Sequence, residues 1–470
     1  MTECTQSSFG FHRLHRREVV ARFDGGDITS DAGGLLLREV DERVALTARL
    51  RACFTDHRQP EKIEHSVQHL VAQRIYGLAL GYEDLNDHDQ LRADPMMAVL
   101  TGKAEPKGTD RRRQQDVGKA GAGKSTLNRL ELTPADANSK ARYKKIVYDQ
   151  AGMDRLLVDL FLESCPSPPA QIVLDVDATD DPVYGNQEGR FFHGYYRDYC
   201  YLPLYIICEE FVLCARLRSS NIDASAGALE EVQRIVEQIR QKWPEVQIVL
   251  RGDCGFCREA LMSWCEDQGV DYVFGLAKNK RLQRIIGQQL QQAKLQFEES
   301  GKPARVFSEF FYRTHKSWKR ERRVIAKAEH LDKGANPRFV VTSLSIQQRD
   351  PRALYEDLYC ARGEMENRIK EQQLALFADR TSTGRMRSNQ LRLYFSTFAY
   401  LLMQALRRLG LKDTEMAQAQ CQTIRHKLLK IGAQIRVTFR KVWLSMAAGY
   451  PFANLFAQVY FNLMPEPAPA

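Results

Sequence analysis

Gln171-Ile-Val-Leu-Asp175-Val-Asp177-Ala-Thr179 is the stretch on which the reading of this chain turns. Gln171 to Val176 is mostly apolar and too short for a helix. It follows the proline-rich run Pro166-Ser-Pro168-Pro169, so it reads as a short strand after a linker, ending in carboxylates. Downstream, Tyr201 to Cys208 and Phe211 to Leu217 read as two more strands, joined as a hairpin by Glu209-Glu210. Ala226 to Trp243 has the spacing of an amphipathic helix ended by Pro244. Gln247 to Leu250 is a buried strand, Arg258 to Asp267 a helix, and Gly269 precedes a strand at Tyr272 to Leu276. Three meandering strands followed by alternating helix and strand predict an α/β fold with a mixed sheet.

The rest of the chain is placed around this core. Its 470 residues predict two to four units. Residues 1–165 read as a mostly helical N-terminal region, with a short strand at Val19 to Phe23 and a helix start near Ser30-Asp31. Residues 170–280 form the first part of the α/β unit. Residues 281–346 read as a basic insertion rich in strands: Val306 to Tyr312, Arg323 to Ala328 and Phe339 to Thr342. Residues 347–410 return to helices and complete the α/β unit, and 411–470 read as a basic helical region with a frayed tail from Met464.

Composition excludes several classes. At 44% hydrophobic and 27% charged, the chain can build cores and is not disordered. The longest apolar run, Leu393 to Leu406, carries Ser396, Thr397 and Gln404 and does not predict a membrane span. The first 20 residues hold Arg13, Arg16 and Arg17 but no apolar run, so no secretory signal is expected. Eleven irregularly spaced cysteines read as reduced thiols of a cytoplasmic protein. The net charge is +9, unevenly spread. Residues 103–145 hold twelve Lys/Arg against five Asp/Glu, and residues 302–327 and 401–445 each hold nine against two. Each of these segments is thus +7, which leaves the rest of the chain at −12. Separated basic segments suggest a polyanion held at several places.

Three carboxylates carry the chemical reading. Asp177 ends the first strand of the α/β half and Asp253 follows the strand at Gln247 to Leu250. Ligands bind at strand ends on one edge of such sheets. Glu366, on a helix expected to pack across the sheet, is a third candidate. Asp175 and Asp177 face the same side of their strand, so periodicity does not separate them. Clustered carboxylates suit Mg²⁺ or Mn²⁺, and two such ions can activate water and stabilise a leaving oxygen at a phosphodiester.

On these residues the chain resembles DDE-type cut-and-paste transposases of bacterial insertion sequences. The motifs are Asp177-Ala178-Thr179, Gly252-Asp253 and Tyr359-x2-Arg362-x3-Glu366. Tyr76-Gly-Leu-Ala-Leu-Gly-Tyr-Glu-Asp-Leu-Asn86 adds a likeness to the N-terminal region of one branch. The resemblance spans roughly residues 10–465. It implies a ribonuclease-H-like catalytic domain interrupted by a β insertion, with Asp177, Asp253 and Glu366 holding two divalent ions. It also implies DNA contacts from Tyr359 and Arg362, and from Trp318, flanked by Lys319 and Arg320, as a base-stacking residue. The family's lysine seven positions after the glutamate is Gln373 here, so Lys370 is the substitute. The implied partners are the terminal inverted repeats and target DNA, bound by a homodimer near the nucleoid, with no membrane.

Other patterns read as decoys. Gly118-Lys-Ala-Gly-Ala-Gly123-Lys124-Ser125 matches the P-loop pattern, but Thr109 to Asp116 cannot be the buried strand that must precede one. It reads instead as a flexible basic loop entering a helix from Ser125, with Thr126, Asn128 and Arg129 facing DNA. Cys254, Cys257 and Cys265 lack a fourth zinc ligand. His88, between Asp87 and Asp89, reads as a solvated helix end. The rival functions are a catalytically inactive DNA-binding protein, a P-loop nucleotide hydrolase and a structure-specific nuclease.

Overall fold

The computed structural model describes residues 8–464, so the expected fraying from 465 onward lies outside the described residues. The chain forms two compact units. One comprises Gln150–Gln373 with Asp379–Tyr394. The other comprises residues up to Asp149, Leu374–Ala378 and the chain from Phe395. The helix Gln150–Ser164, within the stretch read as the N-terminal region, belongs to the first of these. Its apolar face, including Phe161, packs on Phe211 and Trp243.

The first unit is built on a nine-stranded mixed sheet. Its strands are β1 (Gln171–Ala178), β2 (Leu204–Cys208), β3 (Phe211–Arg216), β4 (Gln247–Gly252), β5 (Asp271–Leu276), β6 (Ala304–Tyr312), β7 (Arg322–Leu331) and β8 (Arg338–Thr342). The ninth, Gly334–Ala335, pairs with β7. The order is β3-β2-β1-β4-β5-β8-β7-β6. β2 lies antiparallel to both β1 and β3, while β4 lies parallel to β1 and β5. The first five strands thus have the ribonuclease-H-like order, with the helices Ala228–Lys242 and Glu259–Gln268 as crossovers. Val232, Ile235, Val236 and Ile239 make the buried stripe of the first crossover, as its sequence spacing requires.

The strands read as an insertion are not a separate layer. β8 pairs antiparallel with the open edge of β5, and β7 and β6 continue the same sheet. An edge strand presents unpaired N–H and C=O groups, and β8 satisfies them. Lys327 and Arg323 are largely buried on β7 because Glu329 and Glu309 neutralise them.

The second unit is mostly helical in its N-terminal part, with short strands at Phe9–Leu14, Arg17–Ala21, Asp27–Thr29, Phe54–Asp56 and Ile146–Tyr148. Two expectations fail here. Residues 411–470 are not simply helical: Ala433–Val437 and Val442–Met446 form a hairpin that pairs with Asp27–Thr29. The alternation Ala433-Gln-Ile435-Arg-Val437 has the period of a half-buried strand, and Ala433 and Ile435 are its buried members. His88 is not solvated either, being 0% exposed. It bonds Gln73 at 3.0 Å and Arg74 at 3.2 Å, and Arg74 in turn pairs with buried Glu131 at 2.9 Å. Gly77 leaves room for the ring, which lies 3.0 Å from where a Cβ would stand. No helix among the described residues is long and apolar enough to cross a membrane.

Candidate active site

β1 and β4 run parallel with Asp175 opposite Arg251 and Val176 opposite Gly252. The next rung therefore sets Asp253 beside Asp177 at the same sheet edge. Side chains two apart on a strand share a face, so a second pair, Asp175 and Arg251, lies two rungs back on that face. Arg251 grips Asp175 with both forks, Nε to Oδ1 at 2.5 Å and Nη2 to Oδ2 at 2.7 Å. Its Nη1 donates to the Leu358 carbonyl. Both side chains are buried. Asp175 is thus bound into an ion pair, while Asp177 lines the cavity beyond it.

The segment carrying the third carboxylate begins with Asp350, whose side chain caps the N–H groups of Arg352 and Ala353, followed by Pro351 at the first helical position. A π-helical turn spans Leu354–Tyr359 and a 3₁₀ turn Cys360–Arg362 before the α-helix Gly363–Leu376. Such irregular turns recur at functional sites. Leu354 and Tyr355 anchor the segment on Val249, Val273, Ile325 and Val340 of the sheet. The Tyr359 hydroxyl lies over Gly275, where a Cβ would stand 2.6 Å from it and 2.9 Å from the Cys254 nitrogen.

Arg362 and Glu366 are one helical turn apart and share a face. The Arg362 guanidinium donates to Asp177 Oδ2 at 3.0 Å and to Glu366 Oε1 at 2.8 Å, bridging two of the candidate carboxylates. Asp253 accepts from the Gly255 N–H at 2.8 Å, and Asp177 from the Ala178 N–H at 2.9 Å. Burial pushes the Asp177 carboxyl up to about 6; Arg362 opposes this, and Asp253 and Glu366 add to it. For Arg362, burial favours loss of the proton, but Asp177 and Glu366 outweigh it and raise the pKa.

Asp177, Asp253, Arg362, Glu366, Lys370 and Gln373 line one open cavity of about 640 Å³. Gln373 donates to the Asp180 carbonyl at 3.3 Å. Lys370 is exposed in the same cavity. The donor set is all carboxylate oxygen, which suits a hard divalent cation. The side chains are not gathered around an ion position: among the described residues no group of three or more acidic, His or Cys side chains is so arranged. The Arg362 cation stands between Asp177 and Glu366 instead.

The other expected contacts are not among the residues that line this cavity. Trp318 is 8% exposed, edge-on to Tyr312 at 5.8 Å with the Arg322 guanidinium 5.4 Å from its ring centre. It packs as a core residue and offers no open face to a base. Arg320 pairs with Glu266 at 3.3 Å, and the Lys319 N–H donates to Glu259. Arg129 belongs to the other unit, stacked 5.1 Å from the Tyr143 ring. Sequence reading missed the hairpin of Phe191–His193 and Asp198–Tyr201, whose His193, Tyr195 and Tyr196 also line the cavity of Asp177, Asp253 and Glu366. Tyr195 is 83% exposed. The run Tyr195-Tyr196 beside Arg197 was the available signal, an aromatic cluster with a cation.

Fold and site together define a ribonuclease-H-like protein with three carboxylates lining one cavity at its sheet edge. A family model described as transposase DDE domain group 1 matches residues 11–468, and the chain belongs to this DDE transposase family. Among solved structures, the piggyBac transposase synaptic complex with hairpin DNA is 12% identical, over 86% of this chain and 80% of that one, with a TM-score of 0.41. No curated protein matches the sequence.

Proposed function

We propose that this protein is an active transposase that binds the terminal inverted repeats of an insertion sequence, cleaves the DNA strand at the element end and transfers it to target DNA. The observation that carries the reading is the convergence of Asp177, Asp253 and Glu366 on one cavity in a chain of this family. These three side chains would hold Mg²⁺ or Mn²⁺, two ions per site. Bound divalent ions would polarise a phosphodiester and lower the pKa of an attacking water.

Arg362 holds Asp177 and Glu366 in place in the free protein and is the residue placed to turn to a DNA phosphate when the carboxylates are otherwise occupied. Lys370 supplies a second phosphate contact as a point charge. Tyr195, exposed at the cavity, takes the stacking role assigned to Trp318 from sequence. Asp175 and Arg251 position the turn that bears Tyr359 and Arg362 and hold no ion. DNA, double-stranded and met in the cytoplasm, is the partner, and two element ends call for a homodimer.

The test is to incubate the protein with DNA bordering its own gene, with Mg²⁺, with Mn²⁺ and with EDTA, beside Glu366→Gln. Metal-dependent cutting at a defined end, lost in the variant, is the expected result. Binding without cutting in every metal would favour a catalytically inactive DNA-binding protein. Cutting without joining to a target would leave a nuclease.

A further inference from the structure

The unit containing the N-terminal region has a cleft of about 700 Å³ lined by seven Lys/Arg against three Asp/Glu side chains. Three of the cations are committed. Arg58 bonds Asp56 at 2.7 Å, Arg92 lies 3.6 Å from Asp116, and Arg111 lies 3.4 Å from Glu64. The other four, Lys62, Arg112, Arg113 and Arg129, are exposed. Their side-chain cations have no carboxylate partner among the described residues.

His65, 4% exposed, also lines the cleft. Arg111 Nη1 lies 2.6 Å from its Nε2. Arginine only donates, so Nε2 accepts and the ring proton sits on Nδ1. Burial, with Lys103 and Arg111 adding to it, holds the ring neutral, its pKa lowered to about 2. Among the described residues neither the His65 Nδ1–H nor the Arg111 Nε–H has an acceptor. Two buried donors beside four unpaired cations call for an anion with several oxygens.

The P-loop-like segment borders the same cleft but is already occupied. Asp89 accepts the Lys124 N–H at 3.0 Å and lies 3.5 Å from its ammonium, and Asn86 takes the ammonium at 3.3 Å. The helix Lys124–Glu131 is preceded by a 3₁₀ turn at Gln114–Asp116 and loop, not by a strand. A nucleotide triphosphate would find its helix end and its lysine taken.

We propose that this cleft grips the phosphate backbone of double-stranded DNA, with Lys62, Arg112, Arg113 and Arg129 on the phosphates and His65 and Arg111 as donors at the floor. The proposal rests on the reading of DNA as the substrate and assigns the grip to residues apart from the catalytic carboxylates.

The experiment measures binding of fluorescent duplexes, from DNA bordering the gene and from unrelated DNA of equal length, across a salt series. It compares the wild type with Lys62→Ala/Arg112→Ala/Arg113→Ala/Arg129→Ala and with a charge-keeping Arg112→Lys/Arg113→Lys/Arg129→Lys variant. Each lost phosphate contact lowers the slope of log affinity against log salt by about 0.9, so the alanine variant loses about 3–4 in slope on both duplexes. The charge-keeping variant retains the slope, because counterion release follows charge. All four side chains are exposed, so a thermal melt matching the wild type is expected and confirms folding. An unchanged slope in the folded alanine variant overturns the proposal. So does absence of DNA binding by the wild type, or binding of Mg-ATP by equilibrium dialysis that Lys124→Ala abolishes. Cleavage by the wild type with an unchanged slope in the variant would sink the cleft and leave the transposase standing. A lost slope without cleavage in any metal would do the reverse.

Discussion

Asp175→Asn removes the charge opposite Arg251 while keeping the shape of the side chain. Asp175 and Arg251 have side chains 7% and 8% exposed and meet through two short bonds, so the variant leaves a buried guanidinium without its counter-charge. Breaking one side of a buried pair costs about 3–5 kcal/mol, or roughly two to four decades in the folding equilibrium. The loss should appear in the unit built on the nine-stranded sheet, and native-state hydrogen exchange of β1 and β4 reads it there without assuming a two-state transition. The double variant Asp175→Leu/Arg251→Met removes both charges and should recover most of the loss, since apolar replacement of a buried pair is often neutral. Mn²⁺ titration of the same proteins separates structure from chemistry. Asp175→Asn should bind the ion like the wild type, and Asp177→Asn should bind it at least about tenfold more weakly. An Asp175→Asn protein of native stability that no longer binds Mn²⁺, beside an Asp177→Asn protein that does, would refute the assignment.

Asp177, held near 6 against an ordinary 3.8, should make cleavage fall on the acid side, because its proton competes with the cation. The raised value also means that its ionisation works against folding as pH climbs through 6, so the metal-free protein should gain stability from this group as pH falls through that range. Below pH 6 the rate at limiting Mg²⁺ should drop about tenfold per unit, and a rate flat from pH 7 to 5 would exclude the role. Arg362→Gln removes the cation that opposes the upward shift, so the same fall should begin at higher pH; a profile unmoved by the variant would separate Arg362 from Asp177. Gly275→Ala sets a methyl 2.6 Å from the Tyr359 hydroxyl and 2.9 Å from the Cys254 nitrogen, and should cost about 1–3 kcal/mol in thermal unfolding together with a loss of cleavage. Tyr195→Ala should weaken binding of a frayed or single-stranded end by about 1–3 kcal/mol with no change in the melt, and Tyr195→Phe should restore it; a change in the melt instead would make the residue structural.

Much of this architecture is legible locally. The strand at Gln171, the amphipathic helix before Pro244 and the strand at Gln247 each declare themselves within a dozen residues through periodicity and punctuation. Their order is enough to expect the ribonuclease-H-like sheet. Less is legible where several partners compete for one side chain. His88 looks solvated between two aspartates, yet Gln73 and Arg74, which satisfy it in the core, lie 15 and 14 residues away. Trp318 sits among cations in the sequence, yet Tyr312 and Arg322 enclose it. The hairpin at Ala433 has a clear alternation, but its partner strand at Asp27 is some four hundred residues earlier in the chain.

By itself the sequence determined the succession of strands and helices along the α/β half, the separation of the basic segments and the candidates Asp177, Asp253 and Glu366. These are properties of residue type and spacing, which act over one turn of helix or one strand. Only the tertiary structure decided that β8, β7 and β6 extend the central sheet, that Arg251 claims Asp175 while Asp177 lines the cavity, and that Arg362 stands between Asp177 and Glu366. Asp175 and Asp177 share a strand, a face and a chemistry. What tells them apart is the residue on the neighbouring strand, 76 positions away, which pairing register alone selects.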